Sequence, residues 1–285
     1  MSEAFLTPLI ASDGDILAVM DWPLPQGSIS RATVLIVHGL GEHAGRYAAL
    51  AHDLNQWGYQ VRSYDQYGHG ESGGLRGDLP HGERLLDDLA EVVDGTRRNM
   101  VEHEALILLG HSMGGVVAAQ FAMRRIRRVE GLVMSSPALN PGLNALQKAL
   151  LGVLPRIAPH LRLGNGLKLP YLCRDPAIVA AYRSDPLVHD RVSAILAHYI
   201  SQAGAQCIAA AAQWRTPTLL MYAGADQLVS PAGSQAFAAV APIALVQTQC
   251  FEQMYHEILS DPQNDQVLTT LQSWLAALPS VAKPV

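Results

Sequence analysis

The stretch Leu106-Ile-Leu-Leu-Gly-His-Ser-Met-Gly-Gly-Val116 joins four large apolar residues to a turn crowded with small ones. A short run of this kind is what a strand buried on both faces shows. The turn matches Gly-x-Ser-x-Gly, and a helix opens directly after it, so Ser112 sits on a strand-to-helix elbow. The reason for the glycines is steric. A serine on so sharp a turn presses its backbone against its neighbours, so small residues are required two positions to either side, and Gly115 adds room. Such an elbow aims Ser112 Oγ over the carboxyl ends of the strands, where the helix N-terminus favours developing negative charge.

Outward from the elbow, the chain alternates strand and helix. Phe5–Ser12 and Ile16–Trp22 read as a hairpin joined at Asp13-Gly14. Thr33–Val37, Tyr59–Asp65, Gly131–Ser135, Thr218–Ala223 and Leu245–Cys250 read as further strands. Helices are expected over Tyr47–Trp57, Glu83–Met100, Met113–Met123 and Asp261–Leu278. This alternation predicts an α/β fold, a mostly parallel sheet covered on both faces. From Asn140 to Ile200 it breaks down: about 60 residues without a strand-like run, too long for a plain loop. The expected organisation is a core of residues 1–139 and 201–285 with a helical lid, 140–200, inserted between core strands.

A serine hydroxyl needs a base to become a nucleophile. On this kind of sheet the partners follow in the order Ser, Asp or Glu, His, each in a loop after a later strand. Asp226 follows Thr218–Ala223, and His256 follows Leu245–Cys250 just ahead of the last helix. The histidines ahead of Ser112 break this order, and His160, His189 and His198 lie in the insertion. Asp261 and Asp265 read as carboxylates of the last helix's first turn. Glu257 has only its adjacency to His256 in its favour. Two N–H donors are expected for an oxyanion, from Met113 after the nucleophile and from Leu40 in the loop His38-Gly-Leu-Gly41. His38 itself reads as a packed loop histidine.

Composition narrows the classes. The 285 residues suffice for one large α/β core, which buries roughly 75% of its unfolded surface without metal or disulfide support. Twenty basic against 25 acidic residues give a net charge of −5, against general nucleic-acid binding. Cys173, Cys207 and Cys250 are widely spaced and odd in number, which suggests neither a disulfide framework nor a zinc site. No metal and no organic cofactor is expected. Met1 to Asp15 holds three acidic residues and no basic segment, a poor secretory signal. No run of about 18 uncharged apolar residues would span a membrane. A cytoplasmic location is expected, with peripheral membrane contact as an extension of it.

The chain resembles the monoacylglycerol lipase group of the α/β-hydrolase fold, also called serine aminopeptidase S33-like or lysophospholipase-like. The resemblance covers nearly the whole chain. It rests on His38-Gly-Leu-Gly-Glu-His43 with Arg46-Tyr47, on Asp65-Gln-Tyr-Gly-His-Gly-Glu-Ser-Gly73, on Gly110-His-Ser-Met-Gly-Gly115, and on Tyr182-Arg-Ser-Asp-Pro-Leu187. It implies an eight-stranded sheet, a triad of Ser112, Asp226 and His256, and an oxyanion hole of Leu40 and Met113. It further implies that Glu42, Arg46 and Tyr182 hold the glycerol end of a monoacyl lipid ester, the small-molecule substrate. Some members carry a second histidine three residues past the catalytic one; Leu259 stands there, which leaves room for another leaving group.

The insertion has its own character. Seven basic residues against three aspartates give it a net charge of +4 within a chain of net −5. Its segment Leu143–Leu154 places Leu143, Leu146, Leu150 and Leu154 on one helical face. That face either packs on the protein's own core or docks on lipid. A lysophospholipase and a short-chain carboxylesterase stay open as alternatives, as does a non-enzymatic small-molecule receptor on the same fold. Acyl length, headgroup and oligomeric state are not legible at this level.

Overall fold

The computed structural model describes residues 4–278. The chain runs β1 (Phe5–Ile10), β2 (Ile16–Trp22), β3 (Thr33–Val37), α1 (Ala48–Gln56), β4 (Gln60–Tyr64), α2 (Arg84–Asn99), β5 (Leu106–His111), α3 (Met113–Arg124) and β6 (Gly131–Ser135). It continues through α4 (Ala145–Ile157), β7 (Arg162–Gly164), α5 (Pro176–Ser184), β8 (Arg191–Ser193), α6 (Ala194–Ala210), β9 (Thr218–Ala223), α7 (Pro231–Val240), β10 (Val246–Phe251) and α8 (Asp265–Ala277).

Eight strands form one sheet in the order β1-β2-β4-β3-β5-β6-β9-β10. β1 and β2 are antiparallel, joined at the turn where Gly14 takes φ +92°, and β2 also runs against β4. The remaining pairings in this sheet are parallel. Apolar runs become buried strands because both faces are covered. In β3, Leu35 and Val37 join a core with α2, α3 and α6, while Val34 and Ile36 face the opposite core against α1 and α8. The expected strands and helices are thus found, with ends that differ by a few residues.

The insertion departs from expectation in three ways. It contains strand after all: β7 and β8 pair antiparallel, Arg162 opposite Ser193 and Gly164 opposite Arg191. Three residues each are too few to show a two-residue alternation in sequence. Residue 200 falls inside the unbroken helix α6, whose Leu196, Ile200, Ala203 and Cys207 all join the core beside α3. That continuous apolar face carries no mark of a boundary. Finally, the leucines of α4 do not share one environment. Leu146 and Leu150 point outward with Val153 and Ile157, whereas Leu143 and Leu151 line a cavity beneath. At the far end, Asp261 lies ahead of α8 rather than in its first turn. Its carboxylate instead accepts from Nη2 and Nε along one edge of the Arg174 guanidinium, at 2.5 and 2.8 Å, tying the insertion to the core.

Candidate active site

Ser112 sits between β5 and α3 at φ 53°, ψ −118°, a strained backbone for a residue with a side chain. Its N–H donates to Ser135 O at 3.0 Å and its carbonyl accepts from Ala138 at 2.9 Å, so the neighbouring strand end holds the turn in place. The crowding expected of the glycines is present. A Cβ on Gly110 would lie 2.3 Å from Gly114 O, and one on Gly114 would lie 2.0 Å from Val37 O.

Beyond the sheet's carboxyl edge, Asp226 follows β9 and His256 follows β10. His256 Nδ1 and Asp226 Oδ2 are 2.7 Å apart, and Asp226 Oδ1 accepts the N–H groups of Leu228 and Val229 at 2.8 and 3.0 Å. A carboxylate only accepts, so Nδ1 carries the proton and Nε2 is left with its lone pair. Burial works against the charged imidazole, but the Asp226 carboxylate, with Glu257 and Glu42 behind it, more than offsets it, and the His256 pKa is raised above 6.5. Burial likewise pushes the Asp226 carboxyl up, and the His256 charge and three hydrogen bonds bring it below its ordinary range. The structure brings Ser112 and His256 to the wall of one cavity; among the described residues the Ser112 hydroxyl makes no hydrogen bond to a protein group.

Leu40 and Met113 line the same cavity. Met113 is the first residue of α3, so its N–H is one of the helix's unpaired first-turn donors. The Leu40 loop is pinned from both sides. Gly41, at φ +78°, leaves space for the backbone of His189, whose N–H donates to Gly41 O at 2.9 Å; a Cβ there would meet His189 O at 2.3 Å. On the other side, Gly39 N–H donates to Glu42 Oε1. His38 is fully packed, its Nε2 accepting Gln66 N–H at 2.9 Å, and burial holds its pKa down.

The three residues expected at the alcohol end are found together, though not with equal access. Glu42 and Tyr182 line the main cavity. Arg46 lies behind them, bordering a small adjoining cleft with Leu259. Its guanidinium pairs with Glu42 Oε2, donates to both Glu257 oxygens through Nη1 and Nη2 at 2.6 and 2.8 Å, and stands 4.8 Å over the Tyr182 ring. Burial would raise the Glu42 carboxyl; Arg46 and the Gly39 N–H overcome it and bring the pKa to about 2. Glu257 is raised, because it is buried and shares its one cation with a second carboxylate. Sequence reasoning passed over Glu257 as a mere neighbour of His256. It also passed over His111, which is buried with its ring 4.8 Å from that of His256 and is kept neutral by burial, its pKa near 3.

The cavity above these residues has a volume of about 170 Å³ and is walled mainly by apolar residues of the insertion and the strand ends, among them Leu143, Leu151, Leu172 and Val229. Among the described residues, no cluster of three or more His, Cys, Asp or Glu side chains is placed to hold a metal ion.

A serine elbow, a parallel sheet with antiparallel strands at one edge, and a helical insertion over the carboxyl edge together define an α/β-hydrolase. The model of the family described as "Serine aminopeptidase, S33" matches residues 28–263, and the chain belongs to that family of hydrolases. Among its relatives, the monoacylglycerol lipase of Mycolicibacterium smegmatis is 32% identical over 252 residues, 87% of this chain and 89% of that one. An uncharacterized abhydrolase domain-containing protein of Dictyostelium discoideum is 31% identical over 271 residues, and this chain spans only 28% of its length. The crystal structure of the Paleococcus ferrophilus monoacylglycerol lipase is 33% identical, with a TM-score of 0.83 over 92% of this chain and 99% of that one.

Proposed function

We propose that the protein is a serine carboxylester hydrolase that cleaves monoacyl lipid esters to a fatty acid and an alcohol. The observation that carries this is the Asp226–His256 hydrogen bond, at 2.7 Å, on the cavity wall that also holds the Ser112 elbow. Ser112 Oγ attacks the ester carbonyl while His256 Nε2 takes its proton. The oxyanion receives the Leu40 and Met113 N–H groups, and the imidazolium then returns the proton to the leaving alkoxide. Water enters, loses a proton to the same nitrogen and adds to the acyl-enzyme. As that second tetrahedral species collapses, the imidazolium returns the proton to Ser112 Oγ, which frees the acid and restores the serine and the neutral ring. Asp226 fixes the tautomer and balances the imidazolium throughout.

Three features favour a neutral monoacyl lipid. The cavity wall is apolar, which suits an alkyl chain. At the alcohol end two carboxylates, Glu42 and Glu257, face one arginine, a balance that disfavours a phosphate-bearing leaving group. Two of the three relatives above are monoacylglycerol lipases. The outer face of α4 suits docking on an anionic lipid surface: Leu146, Leu150, Val153 and Ile157 are 52–74% exposed, with exposed Arg156 on the same helix.

A fluorophosphonate probe tests the nucleophile. Ser112 is expected to be labelled in the native protein and Ser112→Ala to abolish both labelling and turnover; an unlabelled Ser112 would overturn the reading. A panel of monoacylglycerol, lysophospholipid and short alkyl esters tests the substrate. Cleavage confined to acetyl and butyryl esters would remove the lipid assignment.

A further inference from the structure

Glu257 follows His256 in the chain, borders both the main cavity and the small adjoining cleft, and gives its carboxylate to Arg46, 211 residues earlier in sequence. Arg46 passes the contact on to Glu42, and Glu42 Oε1 accepts both the Gly39 N–H and, at 2.8 Å, the Tyr47 hydroxyl. Gly39 is the residue before Leu40, the expected oxyanion donor. The same arginine stacks on Tyr182 of α5, and the Glu257 N–H donates to Leu172 O of the insertion at 2.8 Å. One buried chain of contacts therefore links the loop after β10, the loop after β3 and the insertion.

We infer that Glu257 is a positioning residue which, through Arg46 and Glu42, sets the oxyanion loop against the histidine loop and holds both in register for attack. A bidentate guanidinium–carboxylate pair fixes orientation as well as distance, which a single contact would not. The inference rests on the serine-hydrolase reading and adds to it a role for which turnover, not substrate affinity, is the measure.

Charge gives the role a second signature. The groups facing His256 are Asp226 after β9, Glu42 and Arg46 after β3, His111 at the end of β5, and Glu257 itself. The Glu257 carboxylate favours the imidazolium, so its removal makes His256 less basic.

The test uses Glu257→Gln and Glu257→Asp in the full chain, with p-nitrophenyl butyrate, whose leaving group needs no glycerol pocket, and with a monoacylglycerol. Glu257→Gln is expected to lower kcat on the order of 10- to 100-fold on both substrates with KM little changed. The acid limb of its kcat/KM profile should move to lower pH. Glu257→Asp, which keeps the charge at shorter reach, should lose turnover but keep the acid limb in place. If wild-type Ser112 is unlabelled by fluorophosphonate, the underlying reading fails. If the wild type is labelled and active, two outcomes overturn this inference alone: an unchanged kcat and acid limb in Glu257→Gln, or a defect confined to KM for the monoacylglycerol. Circular dichroism of each variant guards against misfolding, and should Glu257→Gln fail to fold, a wild-type kcat in Glu257→Asp overturns the inference.

Discussion

Burial alone would keep the His256 imidazole neutral, and the Asp226 carboxylate acts in the opposite direction, so the ring ends more basic than the ordinary 6.5. In the proposed reaction only the neutral ring accepts the serine proton. Activity is therefore present above the His256 pKa and is lost as pH falls through it, at a pH above about 6.5. Removing the carboxylate's charge reverses the shift. Asp226→Asn should lower kcat on the order of 10,000-fold and carry the acid limb of the residual activity downward; an unmoved limb would show that Asp226 does not set the base. The places of Ser112, Asp226 and His256 were legible because each is marked locally, by an elbow or by a strand end in chain order. Glu257 was not, since adjacency in the chain says nothing about where a side chain turns.

Among the elements, α4 is the one whose reading changed most. Its leucines fit a single amphipathic stripe in sequence, yet the helix has apolar side chains on two sides. Leu151 turns down to the cavity with Leu143 just ahead of the helix, while Leu146, Leu150, Val153 and Ile157 remain outside. Periodicity locates an apolar face but does not say whether protein or solvent covers it. The outer stripe makes a prediction. Leu146→Ser with Leu150→Ser should reduce cosedimentation with vesicles containing phosphatidylglycerol at least several-fold, and leave hydrolysis of dissolved p-nitrophenyl butyrate unchanged. Equal binding by the wild type and the double variant would remove this face as the lipid contact. The short pair β7–β8 escaped notice for a different reason: three-residue strands are specified by the partner they meet, not by their own pattern.

Across the molecule, the sheet's antiparallel edge is held to the parallel body by Arg84. It is 2% exposed, pairs with Asp13 and Asp15 of the first turn and with buried Asp88 one helical turn on, and stands 4.2 Å over the Tyr67 ring of the loop after β4. Arg84→Met would leave Asp88 buried without its cation, a cost of about 3–5 kcal/mol and a fall in Tm of roughly 10 °C. Arg84→Met with Asp88→Asn should recover at least half of that loss in a thermal melt. An additive double variant would show that the two do not form one pair. Such ties between distant segments separate the two levels of description. Apolar runs, the crowded serine turn and the order of polar residues at strand ends followed from the amino-acid order alone, because they arise from sterics and periodicity within about ten residues. Only the folded chain decided that Arg46 meets Glu257, that Arg174 meets Asp261 and that α4 keeps an apolar side outside, because those outcomes depend on which surfaces the closed sheet brings within a few ångströms of one another.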